Sequence, residues 1–257
     1  MAVKFIIPFC AILAVGLCAQ SGLRNPTIIA SRSVSGPPAI TFTQKGFTNT
    51  TAAAALYITT PFSSVANELL LAVCVTGKGS APDAHNVTSP HGTWTMLANT
   101  NYDVVATPLH KLTVWRTMAG SVITDDLTND FAGVNQTGGS IVVFSLGNVD
   151  TTGTFGSGAI VQDVMNAADA TANPSVTLGA LGHANNAVFF CSGNDINGYG
   201  GTAAESWLEL YDSGFNTPAT GIYVGGGSPT SDTTVTLTRA SADWGIIAIE
   251  IKNASQQ

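Results

Sequence analysis

The chain has 257 residues, 45% of them hydrophobic and only 10% charged, with 27 glycines and a net charge of −7. It is long enough to bury a large core, and its charge content is far below the roughly 25% of ordinary soluble proteins. Nine Lys plus Arg cannot build a basic stripe that neutralises phosphates; this argues against nucleic acid as a partner and disfavours anionic membrane surfaces. A surface of hydroxyls and amides fits an extracellular protein, either secreted or carried on a cell or virion.

At the N-terminus Lys4 precedes an apolar stretch over residues 5–17 (FIIPFCAILAVGL), followed by small or polar Cys18, Ala19, Gln20 and Ser21. That order of basic start, short apolar run and small-residue exit is the pattern of a secretory leader over residues 1–21. As a helix the run would span roughly 20 Å, too short to cross a bilayer unaided. Residues 22–38 (GLRNPTIIASRSVSGPP) lack any period and read as an extended arm or linker, with residues 27–30 as an added strand.

A single domain is expected over residues 39–252, with 253–257 as a tail. Residues 40–44 open it, residues 53–60 (AAALYITT) alternate as a strand, and residues 61–64 turn the chain. Residues 67–77 (NELLLAVCVTG) then form an apolar run ending at Gly. Such runs suit the middle of a sheet covered on both faces, where alternation is lost. Strands follow at 94–98, 111–118 (KLTVWRTM), 125–131 and 140–146 (SIVVFSL), at intervals typical of an antiparallel sandwich. The Gly- and Thr-rich stretch 150–159 connects two halves over the surface, and residues 161–170 (VQDVMNAADA) make one short turn of helix.

The plan then repeats. Residues 175–181 stand where 53–60 stood, and residues 186–193 (NAVFFCSG) echo the earlier run with an Asn start, one Cys and a Gly end. Strands at 206–212, 221–225, 233–238 and 244–252 (WGIIAIEIK) complete the set, and the run Gly225-Gly226-Gly227 reads as a turn. The fold class expected is all-β: a two-sheet antiparallel jelly-roll sandwich built from two similar halves around a shared core. Cys74 and Cys191 occupy matching places in the echoed strands. Neighbouring strands would allow a disulfide in an oxidising compartment, and the alternative is two buried thiols acting as small apolar residues.

Taken together, the apolar strand, the loop, the Trp-led strand at Trp94, the LTVWRTMAG strand and the IVVFSLGNVD segment resemble a concanavalin-type jelly-roll domain. Such domains occur in phage virion proteins and in bacterial surface or secreted proteins. The resemblance spans residues 39–252 and implies a fold more than an activity, because the matched residues are core and turn residues.

Two loops carry the candidate chemistry. Residues 78–93 hold Asp83, His85, Asn86 and His91; residues 194–204 hold Asp195, Asn197 and Tyr199. Amide and carboxylate oxygens, an aromatic face and glycines are what a shallow sugar site needs, although the same residues are the vocabulary of turns. His85 and His91 lack the spacing of a zinc site, and no loop shows a calcium-loop pattern, so no metal is expected and these side chains read as solvated. Glu205 and Glu209 share strand parity, as paired carboxylates of jelly-roll glycoside hydrolases do, but Trp207 stands at the intervening position. No nucleophile elbow and no phosphate-binding loop is present. Trp94, Trp115, Trp207 and Trp244 are expected within strands, as core or rim aromatics.

The expectation is a non-enzymatic structural or interaction subunit without a cofactor. It would contact copies of itself or neighbouring structural subunits through its loop rims and its N-terminal arm, residues 22–38, docking by strand addition. A secreted glycan-binding module is the alternative, and a glycoside hydrolase on Glu205 and Glu209 a more distant one.

Overall fold

The computed structural model describes residues 36–78, 85–103, 109–195, 202–203, 207–216, 219–228 and 232–257. All but Gly36 belong to one compact unit, residues 37–257. The proposed leader and nearly all of the arm lie outside the described residues. Among the described residues the regular structure is strand, with two 3₁₀ turns and no α-helix.

The chain runs β1 (Thr41–Thr50), β2 (Leu56–Ile58), β3 (Phe62–Ser64), β4 (Leu69–Lys78), β5 (Asn86–Thr88), β6 (Thr95–Tyr102), β7 (Leu109–Met118), β8 (Ile123–Asp125), β9 (Thr128–Asp130) and β10 (Gly138–Gly147). After a 3₁₀ turn come β11 (Ile160–Thr171), β12 (Ser175–Thr177), β13 (Ala187–Asn194), β14 (Thr202–Ala203), β15 (Leu208–Asn216), β16 (Ala219–Gly227), β17 (Thr234–Thr238) and β18 (Ala242–Ile251). Two five-stranded antiparallel sheets result, ordered β1-β10-β4-β7-β6 and β11-β18-β13-β16-β15. They stack as a β-sandwich, with β1 lying against β15 and β6 against β11. Smaller sheets, β2-β9-β5 with β3-β8 and β12-β17-β14, cover the outer faces.

That cover explains the two apolar runs. In β4, Leu69, Leu71, Val73 and Val75 point into the core between the large sheets, while Leu70, Ala72 and Cys74 join Tyr57, Phe62, Val87 and Phe131 under the first small sheets. In β13, Ala187, Phe189 and Cys191 face the same central core, while Val188 and Phe190 face Val235 and Leu237 on the other side. Each such fully buried Leu or Phe contributes roughly 1.5–3 kcal/mol. Both faces being dry, neither run can alternate.

Several local expectations are corrected. Residues 161–170 are not helical: they form most of β11, an edge strand held by β18 and only partly buried. Edge placement lets polar and apolar residues mix without a strand period. Residues 225–227 are not a turn but the end of β16, where a Cβ on Gly225 would lie 2.3 Å from the Phe190 ring. Gly225 makes room for the ring of its cross-strand partner Phe190, and Gly226 for Phe42 of the facing sheet. Of the two readings of Cys74 and Cys191, that of buried apolar thiols holds instead of the disulfide: both are free, their side chains belong to different cores, and burial pushes both thiols far up, Cys74 to about 12. Trp94 and Trp207 sit just before β6 and β15 instead of within them. The tail is anchored: Asn253 is buried and caps a 3₁₀ turn at Ala254–Gln256.

Candidate functional site

Of the residues singled out in the two loops, Asp83, Asn197 and Tyr199 lie outside the described residues. Asn86 is exposed in β5. His85 and His91 are not solvated: both are buried. The Trp115 indole N–H donates to His85 Nε2 at 3.0 Å, and the Thr113 hydroxyl lies 2.9 Å from the same nitrogen. A nitrogen that accepts this bond is spent, and burial followed by the charge of Lys111 holds the imidazole down to about 4. His85 is therefore a neutral core histidine, packed against Trp115 and Phe131. His91 stacks on Phe62 at 4.1 Å, and its Nε2–H donates to the Asp125 carbonyl at 3.2 Å. Glu209 is exposed on β15, and Glu205 lies outside the described residues.

Asp195 is different. It follows β13 directly, and its carboxylate meets those of Asp103 and Asp243, the three oxygens lying within 4.8 Å of one another. Asp103 follows β6, at the edge of the first sheet, and Asp243 stands near the start of β18 in the second. What permits the meeting is a glycine pair. Gly193 and Gly245 oppose each other in the β13–β18 ladder. The Tyr102 ring lies on this pair: a Cβ at Gly193 would be 2.5 Å from its hydroxyl, and one at Gly245 would be 2.9 Å from its ring. Only residues without a side chain allow so close an approach between sheets. Tyr102 in turn stacks on His110 at 5.3 Å.

Each carboxylate is fixed by one protein donor. His110 Nδ1 donates to Asp103 Oδ2 at 3.1 Å, the Asp243 N–H donates to Asp195 Oδ1 at 3.0 Å, and the Ala170 N–H donates to Asp243 Oδ1. The last contact sits at the bulge that shifts the β11–β18 register between Ala168 and Thr171. The Asp195 N–H returns a bond to the Asp243 carbonyl at 3.1 Å. Asp103 is 3% exposed, and among the described residues its Oδ1 is buried without a hydrogen-bond partner.

The electrostatics follow. Burial, then a hydrogen bond with the Asp243 carboxyl, and then the charges of Asp243, Asp195 and Asp169 push the Asp103 carboxyl up to about 7. Burial raises Asp195 as well; the hydrogen bond from the Asp243 backbone N–H opposes that shift, the Asp243 charge adds to it, and Arg239 opposes it. Burial holds His110 down to about 4 against the pull of Asp243, so at neutral pH the imidazole donates as a neutral group. The sequence reading found Asp195 but missed Asp103, His110 and Asp243. The available signals were Gly193 and Gly245, small residues inside otherwise bulky central strands, and the Asp beside Trp244.

No protein-family model matches the chain, and neither curated proteins nor solved structures yield a match. The reading of the site therefore rests on its own residues.

Proposed function

We propose that the protein is a non-enzymatic structural subunit displayed outside the cell, on a cell or virion surface, that binds copies of itself or neighbouring subunits. In this reading it is built from two similar jelly-roll halves stacked through their larger sheets. The strand orders support that architecture. Numbered by appearance, both large sheets run first, last, second, fourth, third, and both three-stranded sheets run first, third, second. Pairing is also nested, β1 with β10, β2 with β9, β3 with β8 and β4 with β7, then β11 with β18, β12 with β17 and β13 with β16. A long hairpin rolled upon itself gives such nesting.

The observation that carries the interaction role is apolar exposure on the outer strands. Leu56 and Ile58, alternate residues of the edge strand β2, are each 49% exposed, and Val65 and Val122, which flank the β3–β8 ladder, are 52% and 72% exposed. An edge strand that presents apolar side chains and unpaired backbone groups is a template for another chain. The buried, hydrogen-bonded state of His85 and His91 also favours a structural role, since it withdraws both imidazoles from chemistry.

Sedimentation of the full chain across a concentration series tests this. Self-association is expected, and the double change Leu56→Lys with Ile58→Lys should shift the protein toward monomer while circular dichroism stays unchanged. A wild type that remains monomeric at millimolar concentration, or a double variant that associates as strongly as wild type, would overturn the reading.

A further inference from the structure

We infer that Asp103, Asp195 and Asp243 form a binding site for a divalent cation, Ca²⁺ in the first instance, that ties the edge of the first large sheet to the second. The donor set is the first reason. Three carboxylates supply oxygen alone, which suits hard cations, and oxygens within 4.8 Å of one another can be bridged by an ion that takes its ligands at about 2.3–2.6 Å. Ca²⁺ accepts irregular oxygen sets, whereas Mg²⁺ demands near-octahedral geometry.

The second reason stands apart from the count of acidic groups. Asp103 is almost wholly buried, yet among the described residues its Oδ1 reaches no donor, while Oδ2 is held by His110. A buried carboxylate oxygen left unpaired is costly, and the remedies are a proton or a cation. Among the described residues the Asp243 carboxyl, which hydrogen-bonds with Asp103, is the group placed to share a proton with it. Asp243, Asp195 and Asp169 repel the charge of Asp103, and His110 is held neutral by its burial. Arg239 acts on Asp195.

Orientation is the third reason. One oxygen of each aspartate is tied to a protein N–H: His110 for Asp103, the Asp243 backbone for Asp195, and the Ala170 backbone for Asp243. Outer partners of this kind hold ligating carboxylates in place. The sites that flank the cation are thus set before it binds. Since Asp103 belongs to the first sheet's edge and Asp195 and Asp243 to the second sheet, the ion would join elements that no backbone ladder connects.

The test uses the full chain, stripped with EDTA and then titrated with CaCl₂ by calorimetry, with thermal unfolding followed in parallel. One Ca²⁺ per chain is expected, and at a hundredfold excess over Kd the unfolding midpoint should rise by about 5–10 °C. Asp103→Asn and Asp195→Asn should each weaken binding at least tenfold and abolish the rise. Tb³⁺ luminescence, sensitised by the neighbouring Tyr102 or Trp244 and displaced by Ca²⁺, gives a readout on the wild type alone should a variant fail to fold. If stripped wild type shows neither heat, luminescence nor a midpoint shift with Ca²⁺, Mg²⁺ or Mn²⁺ at millimolar levels, the aspartates share only a proton and the site is refuted. Binding that survives both substitutions would place the ion elsewhere and refute it equally.

Discussion

The two edges of the first sheet meet the second sheet through opposite chemistries. Where β1 and β10 face β15, the contact is neutral. Asn49 Nδ2 donates to the Tyr211 hydroxyl at 2.8 Å and to Ser213 Oγ at 2.6 Å, while Asn49 Oδ1 accepts from Ser140 Oγ. One amide both gives and receives, so the seam closes on itself. Where β6 faces β11 and β18, three aspartates converge, and carboxylates can only accept. The lesson is that an amide seam is complete as folded, whereas an acidic seam stays open to a proton or an ion.

The comparison breaks most visibly at the glycine pair. Gly245→Val would drive a side chain into Tyr102, whose ring stands 2.9 Å from the position a Cβ would take. Overpacking of this kind should cost about 3 kcal/mol or more in urea unfolding, and it should abolish the Ca²⁺ response. The amide seam offers the matching cut. Asn49→Ala leaves the Tyr211, Ser213 and Ser140 hydroxyls without their shared partner and should cost about 1–2 kcal/mol, with no change in sensitivity to Ca²⁺ or EDTA.

The pH dependence sharpens the contrast further. Asp103 titrates near 7 in the folded protein, above its unfolded value, so its contribution is present at acid pH and is lost as pH rises from about 4 to 7. His110 titrates near 4 when folded, below its unfolded value, so its contribution grows as pH rises from about 4 to 6.5. In the wild type these slopes oppose each other. Asp103→Asn should uncover the histidine slope, adding up to about 1.4 kcal/mol per pH unit between pH 4.5 and 6.5 in EDTA, as read from urea midpoints at several pH values. An unchanged slope would show that the two groups do not titrate as their surroundings require. The smallest effect should come from Ser213→Ala, about 0.5 kcal/mol, because Asn49 keeps the Tyr211 hydroxyl as an acceptor.

Much of the framework could be read from the chain. The runs at 67–77 and 186–193 became β4 and β13, the strands at the middle of the two large sheets, because burial on both faces leaves an apolar signature that needs no tertiary information. Edge elements were less legible. Residues 161–170 carry Gln, Asp and Asn among apolar residues, and their strand character comes from hydrogen bonds to β18, not from a pattern of their own. The glycine run at 225–227 was misread for a related reason: its flatness serves Phe190 on the paired strand and Phe42 in the facing sheet, and a sequence shows neither neighbour. His85 and His91 looked like loop residues because their partners, Thr113, Trp115 and Ser64, are distant in the chain.

By itself the sequence determined the β class, the central strands and the poverty of basic charge, since each follows from composition or from short-range pattern. The tertiary structure alone decided which acids meet. Asp103 and Asp195 follow β6 and β13, Asp243 lies in β18, and nothing local marks them as partners. They converge because two opposed glycines, Gly193 and Gly245, let the Tyr102 ring lie flat against another sheet's backbone. Contact between layers is a property of shape, and a linear order of residues does not carry it.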